Sequence, residues 1–289
     1  MKLHALELTG FGPFRETQRV DFDAFDRDGY LVRRGFFSAE QVGVLADLLE
    51  TDPAIRRRAY GLDDGTGRST EISAWHEPGD DSFGAVARST RMAGAARDLL
   101  GGPVRHYHSK ATLKPPGAGG TWLWHQDYGY WYKYGYLFPT MLSVAVPLTR
   151  MSQENGGLKV LRGSHRMGRV EHGFIGSQVG ADPERTARAA DLLETVWFEA
   201  EPGDVMWFHG NMLHSSANND ADYARNLFLV CYNRSDNPSY LEPPNAEIDE
   251  VPDDEILGRR EVRLGESRRF VDKETDPIMV EFERFGARP

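Results

Sequence analysis

The spacing of hydrophobic residues changes along the chain from a helical period to the alternating period of strands. Behind Ser38 the apolar residues recur at helical spacing, and Gln41 completes a capping-box pattern with Ser38. Helices are also predicted over residues 23–30 and 83–100, with a short strand over residues 30–33. The first third of the chain is therefore expected to be mainly helical.

Beyond this helical part, short strand-like segments alternate with turns rich in Gly, Asp, Asn and Pro. These segments are residues 104–113, 141–148, 157–161, 195–198, 205–209 and 226–233. Helices followed by many short strands predict an α+β chain, mainly β, whose core is a sandwich or barrel at about residues 104–233.

The other stretches carry little periodicity. Residues 51–81 are rich in Asp, Gly and Arg, and we predict a long loop that is either a lid over a site or a plain surface loop. Residues 236–289 are charged and contain prolines, and we predict a tail packed over the core. We treat residues 1–22 as an N-terminal extension of uncertain role and residues 23–289 as a single domain.

The composition narrows the class of protein. The chain of 289 residues has a formal net charge of -10, which argues against a broad nucleic-acid footprint because such a surface needs clustered basic residues. The single cysteine, Cys231, excludes an internal disulfide and a cysteine-based zinc site. No apolar run reaches the roughly 18 residues of a membrane span, and no signal peptide is evident. We therefore predict a cytoplasmic protein that binds neither nucleic acid nor membranes.

The candidate chemistry centres on His125 and Asp127. In an extended strand, side chains two residues apart share a face, so these two groups point the same way while Gln126 turns away. A second histidine would complete the facial triad of iron(II) oxygenases, two His and one carboxylate, which leaves adjacent metal positions open. His-x-Asp is common by chance, so the motif needs support from elsewhere in the chain.

Position favours His214 as the second histidine. Every histidine other than His125 is a candidate by residue type: His4, His76, His106, His108, His165, His172, His209 and His214. His214 follows the Pro-Gly-Asp turn at 202–204 and a strand-like run, and Arg225 opens the next strand eleven residues later. His209 is the rival candidate.

Arg225 suits the far carboxylate of a keto-acid cosubstrate. Such an acid chelates iron at one end, and its distal carboxylate needs a bidentate cation, which arginine supplies better than lysine. The hydroxyl of Ser216 can add a hydrogen bond to the same carboxylate. The alternative is a surface ion pair of Arg225 with Asp220 or Asp222.

A polar strand face precedes the His-x-Asp stretch. Alternation over residues 104–113 places His106, His108, Lys110 and Thr112 on one face. This face either lines a cavity or forms a solvated sheet edge.

Several short motifs in their combined spacing resemble those of the phytanoyl-CoA dioxygenase family, which uses iron(II) and 2-oxoglutarate. The resemblance runs from about residue 25 to residue 233. It is carried by His125-Gln126-Asp127, Asn155-Gly156-Gly157-Leu158, Gly163-Ser164-His165, Pro202-Gly203-Asp204, His214, Ser216 and Arg225. The resemblance implies a double-stranded β-helix, a jelly-roll core of cupin type with flanking N-terminal helices.

The resemblance also implies roles for individual residues. Iron(II) would be bound by His125, Asp127 and His214, and 2-oxoglutarate by Arg225 and Ser216. The resemblance also implies contacts of Trp131, His108 and Thr112 with 2-oxoglutarate. Molecular oxygen would be the other cosubstrate.

The implied reaction oxidises an unactivated C–H bond of a small molecule and releases succinate and CO2. Hydroxylation is the default, while desaturation, ring closure and epoxidation stay open. Asp127 argues against halogenation, because related halogenases carry a small residue in its place.

The substrate is predicted only as a class, a natural-product intermediate or an amino-acid-like molecule. Tyr128, Tyr130, Gln126 and Lys110 are the candidate pocket residues. The aromatic residues that crowd 128–138 are otherwise explained as core. The sequence does not indicate an oligomeric state.

Two other classes of protein are compatible with the triad. One is a jelly-roll binding protein that holds a metal or ligand without turnover. The other is a non-redox metalloenzyme of cupin type, in which two His and one Asp would hold zinc. Neither needs a keto-acid anchor such as Arg225, so both are less favoured.

Overall fold

Two antiparallel β-sheets stacked face to face form the protein, and helices cover the outer face of the larger sheet. The computed structural model describes residues 21–64, 66–175, 178–241 and 245–258. The predicted jelly-roll fold, mainly β with flanking helices, is confirmed.

Most helices come from the first third of the chain, as the apolar spacing predicted. The helices are α1 (Phe22–Asp28), α2 (Ala39–Thr51), α3 (Pro53–Arg58), α4 (Ser82–Ala87), α5 (Thr90–Leu100), α6 (Asp127–Trp131), α7 (Pro183–Leu192) and α8 (Glu255–Gly258). The predicted capping box starts α2, with the Gln41 amide donating to Ser38 Oγ at 3.2 Å. The single helix predicted over 83–100 is wrong, because Ser89 has a non-helical ψ of 126° and its side chain caps α5 by accepting from the Met92 amide.

Thirteen strands are present in the described part of the chain. They are β1 (Tyr30–Arg33), β2 (Tyr60–Asp63), β3 (Ser69–Trp75), β4 (Val104–Lys114), β5 (Trp122–His125), β6 (Met141–Pro147), β7 (Leu158–Leu161), β8 (His172–Ile175), β9 (Gln178–Ala181), β10 (Thr195–Trp197), β11 (Val205–His209), β12 (His214–Ser216) and β13 (Arg225–Arg234). The major sheet has the order β1-β11-β6-β13-β4-β3-β2 and the minor sheet β10-β7-β12-β5, while β8 and β9 form a separate hairpin.

The prediction of a long loop over residues 51–81 is wrong. This stretch forms α3 and the β2–β3 hairpin, which extends the edge of the major sheet. The hairpin is held in place by the amide of Thr121, which donates to Asp64 Oδ2 at 3.0 Å, and by Gln178, whose side chain donates to the Asp63 carbonyl at 3.3 Å. These strands could not be predicted from the sequence, because β2 is short and half-exposed and therefore contains few apolar residues in alternation.

Strand β13 shows how the layers are arranged. Leu227 and Leu229 point towards the minor sheet, where they pack in a cluster with Val160 of β7. Phe228 and Val230 point to the other face, into the cluster covered by the helices. Both faces of β13 are therefore buried, and the space between the sheets is available for a site.

Part of the C-terminal region packs over the helices, as predicted for the tail. Ile256 of α8 is buried in the helical core cluster, and Asp253 accepts hydrogen bonds from Ser89 and Arg91. Residues 259–289 and the proposed extension, apart from residues 21 and 22, lie outside the described part of the chain. Within the described residues, no helix has the length and apolar character needed to cross a membrane.

Replacing Phe228 with alanine is expected to lower the free energy of unfolding by about 3–5 kcal/mol. The ring is fully buried and its centroid lies 6.0 Å from that of Trp75 and 4.9 Å from that of Phe83. Phe138→Ala is the matched control, because that side chain is 58% exposed, and it should change stability by no more than about 0.5 kcal/mol. Urea unfolding followed by circular dichroism measures both, and equal losses would contradict this core.

Candidate metal centre and cosubstrate pocket

His125 and His214 lie directly opposite each other on neighbouring strands of the minor sheet. The antiparallel register of β5 and β12 pairs these two residues, and their ring centroids are 4.0 Å apart. Each Nδ1 lies next to a backbone carbonyl two residues earlier, Leu123 at 2.7 Å and Met212 at 2.9 Å. Because a carbonyl only accepts, Nδ1 carries the proton in both rings and Nε2 presents its lone pair.

Asp127 completes this group, although not in the way the sequence predicted. The expected continuous strand is wrong, because β5 ends at His125 and Asp127 is the first residue of α6. Gln126 between them is still extended, with φ -114° and ψ 133°. The turn leaves Asp127 Oδ1 at 4.0 Å from His125 Nε2 and 3.9 Å from His214 Nε2. Ligand atoms of all three residues lie within 4.8 Å of one another.

The major sheet supports the Asp127 carboxylate from the other side. Ser143 Oγ donates to Oδ2 at 2.5 Å, and Lys110 Nζ lies 3.5 Å from Oδ1. Burial opposes ionisation of this carboxyl, but the charge of Lys110 and the hydrogen bond from Ser143 favour it, and the pKa of Asp127 lies below its usual range. Asp127 is therefore a carboxylate at neutral pH.

The three residues fit a divalent transition metal such as iron(II). Burial lowers the pKa of His125, with a further contribution from His214, and burial also lowers the pKa of His214. Both rings are thus neutral at neutral pH, as metal binding requires. Neither Nε2 makes a hydrogen bond within the described residues, and both rings line a cavity. Two neutral imidazoles and one carboxylate are the donor set of a facial triad with positions left open.

The cavity beside these residues lies between the two sheets. It holds about 470 Å³ of free space, part of it open to solvent. Its polar walls include His125, His214, Lys110, Thr112, Ser216 and Arg225, and its apolar walls include Ile72, Trp122, Leu158, Leu227 and Leu229.

Arg225 is buried in this cavity without an anionic partner. Only 3% of its surface is exposed. Its guanidinium donates to Thr112 Oγ1 at 2.7 Å and to the Gly156 carbonyl at 3.2 Å, and no carboxylate of the described residues pairs with it. The alternative of an ion pair with Asp220 or Asp222 is not observed; Asp220 pairs with Arg68 instead. Burial lowers the pKa of Arg225 to about 9, and a buried cation of this kind favours an anionic ligand.

Lys114 is a second buried cation that the sequence reasoning missed. Its side chain is fully buried, and Nζ donates to Ser216 Oγ at 2.7 Å and to the Ala217 carbonyl at 2.5 Å. Burial, reinforced by the charge of Arg225, lowers the pKa of this lysine. The predicted strand ended at residue 113, one position too early, although alternation from Lys110 and Thr112 would have placed Lys114 on the same face.

Gln126 does not line the pocket, which corrects its assignment as a substrate residue. Its side chain donates to the carbonyls of Gly168 and Asn211, both at 2.7 Å, and accepts from the Val170 amide at 2.6 Å. These bonds join the turn between His125 and Asp127 to two other segments of the chain.

The aromatic residues of α6 belong mainly to the core. Trp131 is 1% exposed and packs edge-on against Tyr107, with ring centroids 5.6 Å apart. The hydroxyl of Tyr128 donates to the Tyr136 carbonyl at 3.0 Å. Neither residue lines the cavity around Arg225, so their assignments to cosubstrate and substrate are corrected to packing.

Tyr130 lies closer to the metal site than the other aromatic residues of α6. Its ring centroid is 5.6 Å from that of His125, while its hydroxyl donates to the Val179 carbonyl at 2.7 Å. Tyr130 therefore contacts a candidate ligand but does not line the described cavity.

A β-bulge splits the predicted polar face of β4. The pairing with β13 shifts between His108 and His106, so His106 turns to the opposite face. There its Nδ1 lies 3.1 Å from the His76 carbonyl. His108 stays on the face of Lys110 and Thr112, and its buried Nε2 has no hydrogen-bond partner.

His108 is too far along β4 to share a ligand with Arg225. Thr112, which contacts the guanidinium, is four residues away, or about 13 Å at the usual rise of a strand. His108 does not line the cavity around Arg225, and its contact with the cosubstrate stays a prediction. The rival ligand His209 lies elsewhere, with Nδ1 accepting from the Asn211 amide at 3.0 Å and its ring centroid 5.6 Å from that of His165.

Comparisons with known proteins agree with this arrangement. L-proline trans-4-hydroxylase of Streptomyces griseoviridis is 28% identical over 238 residues, which cover 76% of this chain and 88% of that protein. EctD from S. alaskensis with bound Fe is similar at a TM-score of 0.67 and 27% identity, covering 86% of this chain and 91% of that chain. The structure of EctD from S. alaskensis with 2-oxoglutarate and 5-hydroxyectoine gives a TM-score of 0.63 at 28% identity. The match covers 85% of this chain and 84% of that chain.

The family model described as phytanoyl-CoA dioxygenase (PhyH) matches residues 25–227, more than half of the chain. This match confirms the family that the motifs predicted. It also confirms the predicted enzyme class, an iron(II)- and 2-oxoglutarate-dependent dioxygenase. The chain belongs to the phytanoyl-CoA dioxygenase family.

Proposed function

We propose that this protein hydroxylates a small carboxylate-bearing molecule, with iron held by His125, Asp127 and His214 and with 2-oxoglutarate anchored by Arg225. One observation carries the proposal. The three candidate ligand atoms and a buried guanidinium without an anionic partner belong to the same site between the sheets. A simple metal-binding protein has no need of that guanidinium.

The cosubstrate end of the cavity is suited to a dicarboxylic keto acid. Arg225 offers a planar pair of donors to the distal carboxylate, and Lys114 adds a second positive charge beside Ser216. Thr112 orients the guanidinium. The buried side chains of Leu227 and Leu229 contribute apolar walls to the cavity, and apolar surroundings strengthen charge interactions.

The protein supplies position and exclusion of water, while the cofactor supplies reactivity. His125, Asp127 and His214 would hold iron(II), which would supply with 2-oxoglutarate and O2 the oxidising power to hydroxylate a substrate C–H bond, with succinate and CO2 as the other products. Ser143 and Lys110 keep Asp127 ionised and oriented. The carbonyls of Leu123 and Met212 hold the two imidazoles in the required tautomer.

The substrate end lies along β4, away from Arg225. Lys110 lines the cavity next to Asp127, and His108 follows it on the same strand face with a buried Nε2 that lacks a partner. A cation and a free imidazole nitrogen suit a small acid with a second polar group. Two similar proteins are a hydroxylase of proline and EctD with bound 5-hydroxyectoine, which supports an amino-acid-like substrate.

Removing His214 is expected to abolish the metal centre. In anaerobic titrations of iron(II) with 2-oxoglutarate, the wild type should show the visible charge-transfer band of the chelated keto acid. The His214→Ala variant should lose the band, with iron affinity lower by more than about 100-fold, since even groups that only support a metal ligand are worth 10- to 100-fold.

His209→Ala is the control for that titration, because His209 lies outside the triad. It should retain the band. A wild-type protein that binds iron but shows no band would contradict the dioxygenase site and favour a binding protein or a non-redox metalloenzyme.

Arg225→Met is expected to weaken the binding of 2-oxoglutarate by about 30- to 1,000-fold, because a buried charge pair is worth about 2–4 kcal/mol. Iron affinity without 2-oxoglutarate should stay near that of the wild type. Titration of the charge-transfer band with 2-oxoglutarate measures the change. Arg150→Met, on an exposed arginine, is the matched control, and equal affinity in the two variants would refute the anchor.

Lys110→Met is expected to reduce the preference for carboxylate substrates by about 10- to 100-fold, the worth of one charge-assisted hydrogen bond. Succinate release is measured with pairs of amino acids and their primary amides. The wild type should favour the acid of each pair, and the variant should not. An unchanged acid-to-amide ratio in kcat/KM would show that Lys110 does not recognise the carboxylate.

A further inference from the structure

The peptide between the two ligand residues His125 and Asp127 is held by a histidine that no part of the proposed chemistry uses. β5 is the edge strand of the minor sheet and ends at His125. The amide of Gln126 lies just beyond this end and donates to Nε2 of His172 at 2.9 Å. A buried amide must find an acceptor, and here a side chain provides it.

His172 is held in the tautomer that this contact needs. Its Nδ1 lies 2.8 Å from the Val170 carbonyl, so Nδ1 carries the proton and Nε2 accepts. Burial lowers the pKa of this buried imidazole to about 4. The same arrangement, Nδ1 bonded to the carbonyl two residues earlier, occurs in His125 and His214. In those two rings Nε2 faces the metal site, whereas in His172 it faces a peptide.

The ring of His172 fits against α6 only because residue 129 is glycine. A Cβ atom on Gly129 would lie 2.1 Å from His172 Cε1, well inside contact distance. The ring also packs edge-on against Tyr130, with centroids 5.4 Å apart. His172 therefore contacts both the start of the turn and the helix that follows it.

The side chain of Gln126 also contacts the segment that carries His172. Its amide group bonds to the backbone of Gly168 and Val170, on the same segment as His172. It also donates to the carbonyl of Asn211, three residues before His214. The segment 168–172 is thus tied by backbone and side-chain hydrogen bonds to the turn 125–129, which we term the ligand turn.

We propose that His172 is a positioning residue that sets the separation and direction of His125 and Asp127 by fixing the Gln126 peptide. The inference rests on the proposed function, because it takes those two residues as iron ligands. Metal–ligand distances tolerate deviations of only about 0.2 Å. A ligand turn that loses its anchor at Gln126 would hold the two donors less well, and the metal would bind more weakly.

The test measures metal affinity directly, without turnover. Iron(II) is titrated anaerobically into the metal-free protein, and the charge-transfer band is then recorded with saturating 2-oxoglutarate. His172→Leu keeps the volume but removes the acceptor, and it should lower iron affinity by about 10- to 100-fold and shift or broaden the band. His172→Gln keeps an acceptor at similar reach and should restore affinity to within about threefold.

Two further variants complete the design. Gly129→Ala keeps the imidazole of His172 but displaces it, and it should weaken iron binding as His172→Leu does. His165→Leu is the matched control, because that half-buried histidine precedes the segment 168–172 and bonds to Asp26 instead. It should leave both iron affinity and the band unchanged.

The outcomes separate this inference from the proposed function. If the wild type binds no iron, the proposed function fails and the inference falls with it. If the wild type binds iron and both His172→Leu and Gly129→Ala bind it equally well, the inference alone is overturned. If urea unfolding shows that His172→Leu does not fold, the iron affinity of Gly129→Ala is the test. Weaker iron binding by that variant supports the inference, and unchanged iron binding refutes it.

Discussion

The pairing of β5 with β12 is the constraint on which the site depends. Antiparallel register sets His125 opposite His214, so two imidazoles from distant parts of the chain meet at one point. Their protonation is set by the backbone, because each Nδ1 bonds to the carbonyl two residues earlier in the chain. Asp127 joins them because the chain turns into α6 directly after β5. A one-residue slip of this register would turn one histidine to the outer face of the sheet.

Charge is distributed unevenly along the space between the sheets. Around the triad, buried imidazoles are neutral and the carboxylate of Asp127 is ionised. At the other end, Arg225 and Lys114 are buried, and no carboxylate of the described residues pairs with either of them. Burying cations without partners is costly, so this end is arranged for an anion that arrives with the cosubstrate.

The triad is supported from two sides by different layers of the fold. The major sheet contributes Ser143 and Lys110 to the Asp127 carboxylate. On the opposite side, the segment 168–172 holds the ligand turn through His172 and Gln126. Neither layer alone determines where the ligand atoms lie.

The residue types of the site and the order of its elements could be predicted from the amino-acid sequence. These predictions rest on the alternation in β4, β6 and β13, the spacing from His214 to Arg225, and the motifs of the family. Each of these features involves residues that are close together in the sequence, so it can be recognised without the structure. Two features of the site became visible only in the folded chain, since Asp127 starts a helix and a bulge turns His106 away from His108. Contacts in the folded chain also place residues 51–81 at the edge of the sheet and Trp131 and Tyr128 in the core. They bring Lys114 to Ser216 and His172 to the amide of Gln126. These outcomes depend on contacts between residues far apart in the chain, and no local pattern encodes such contacts.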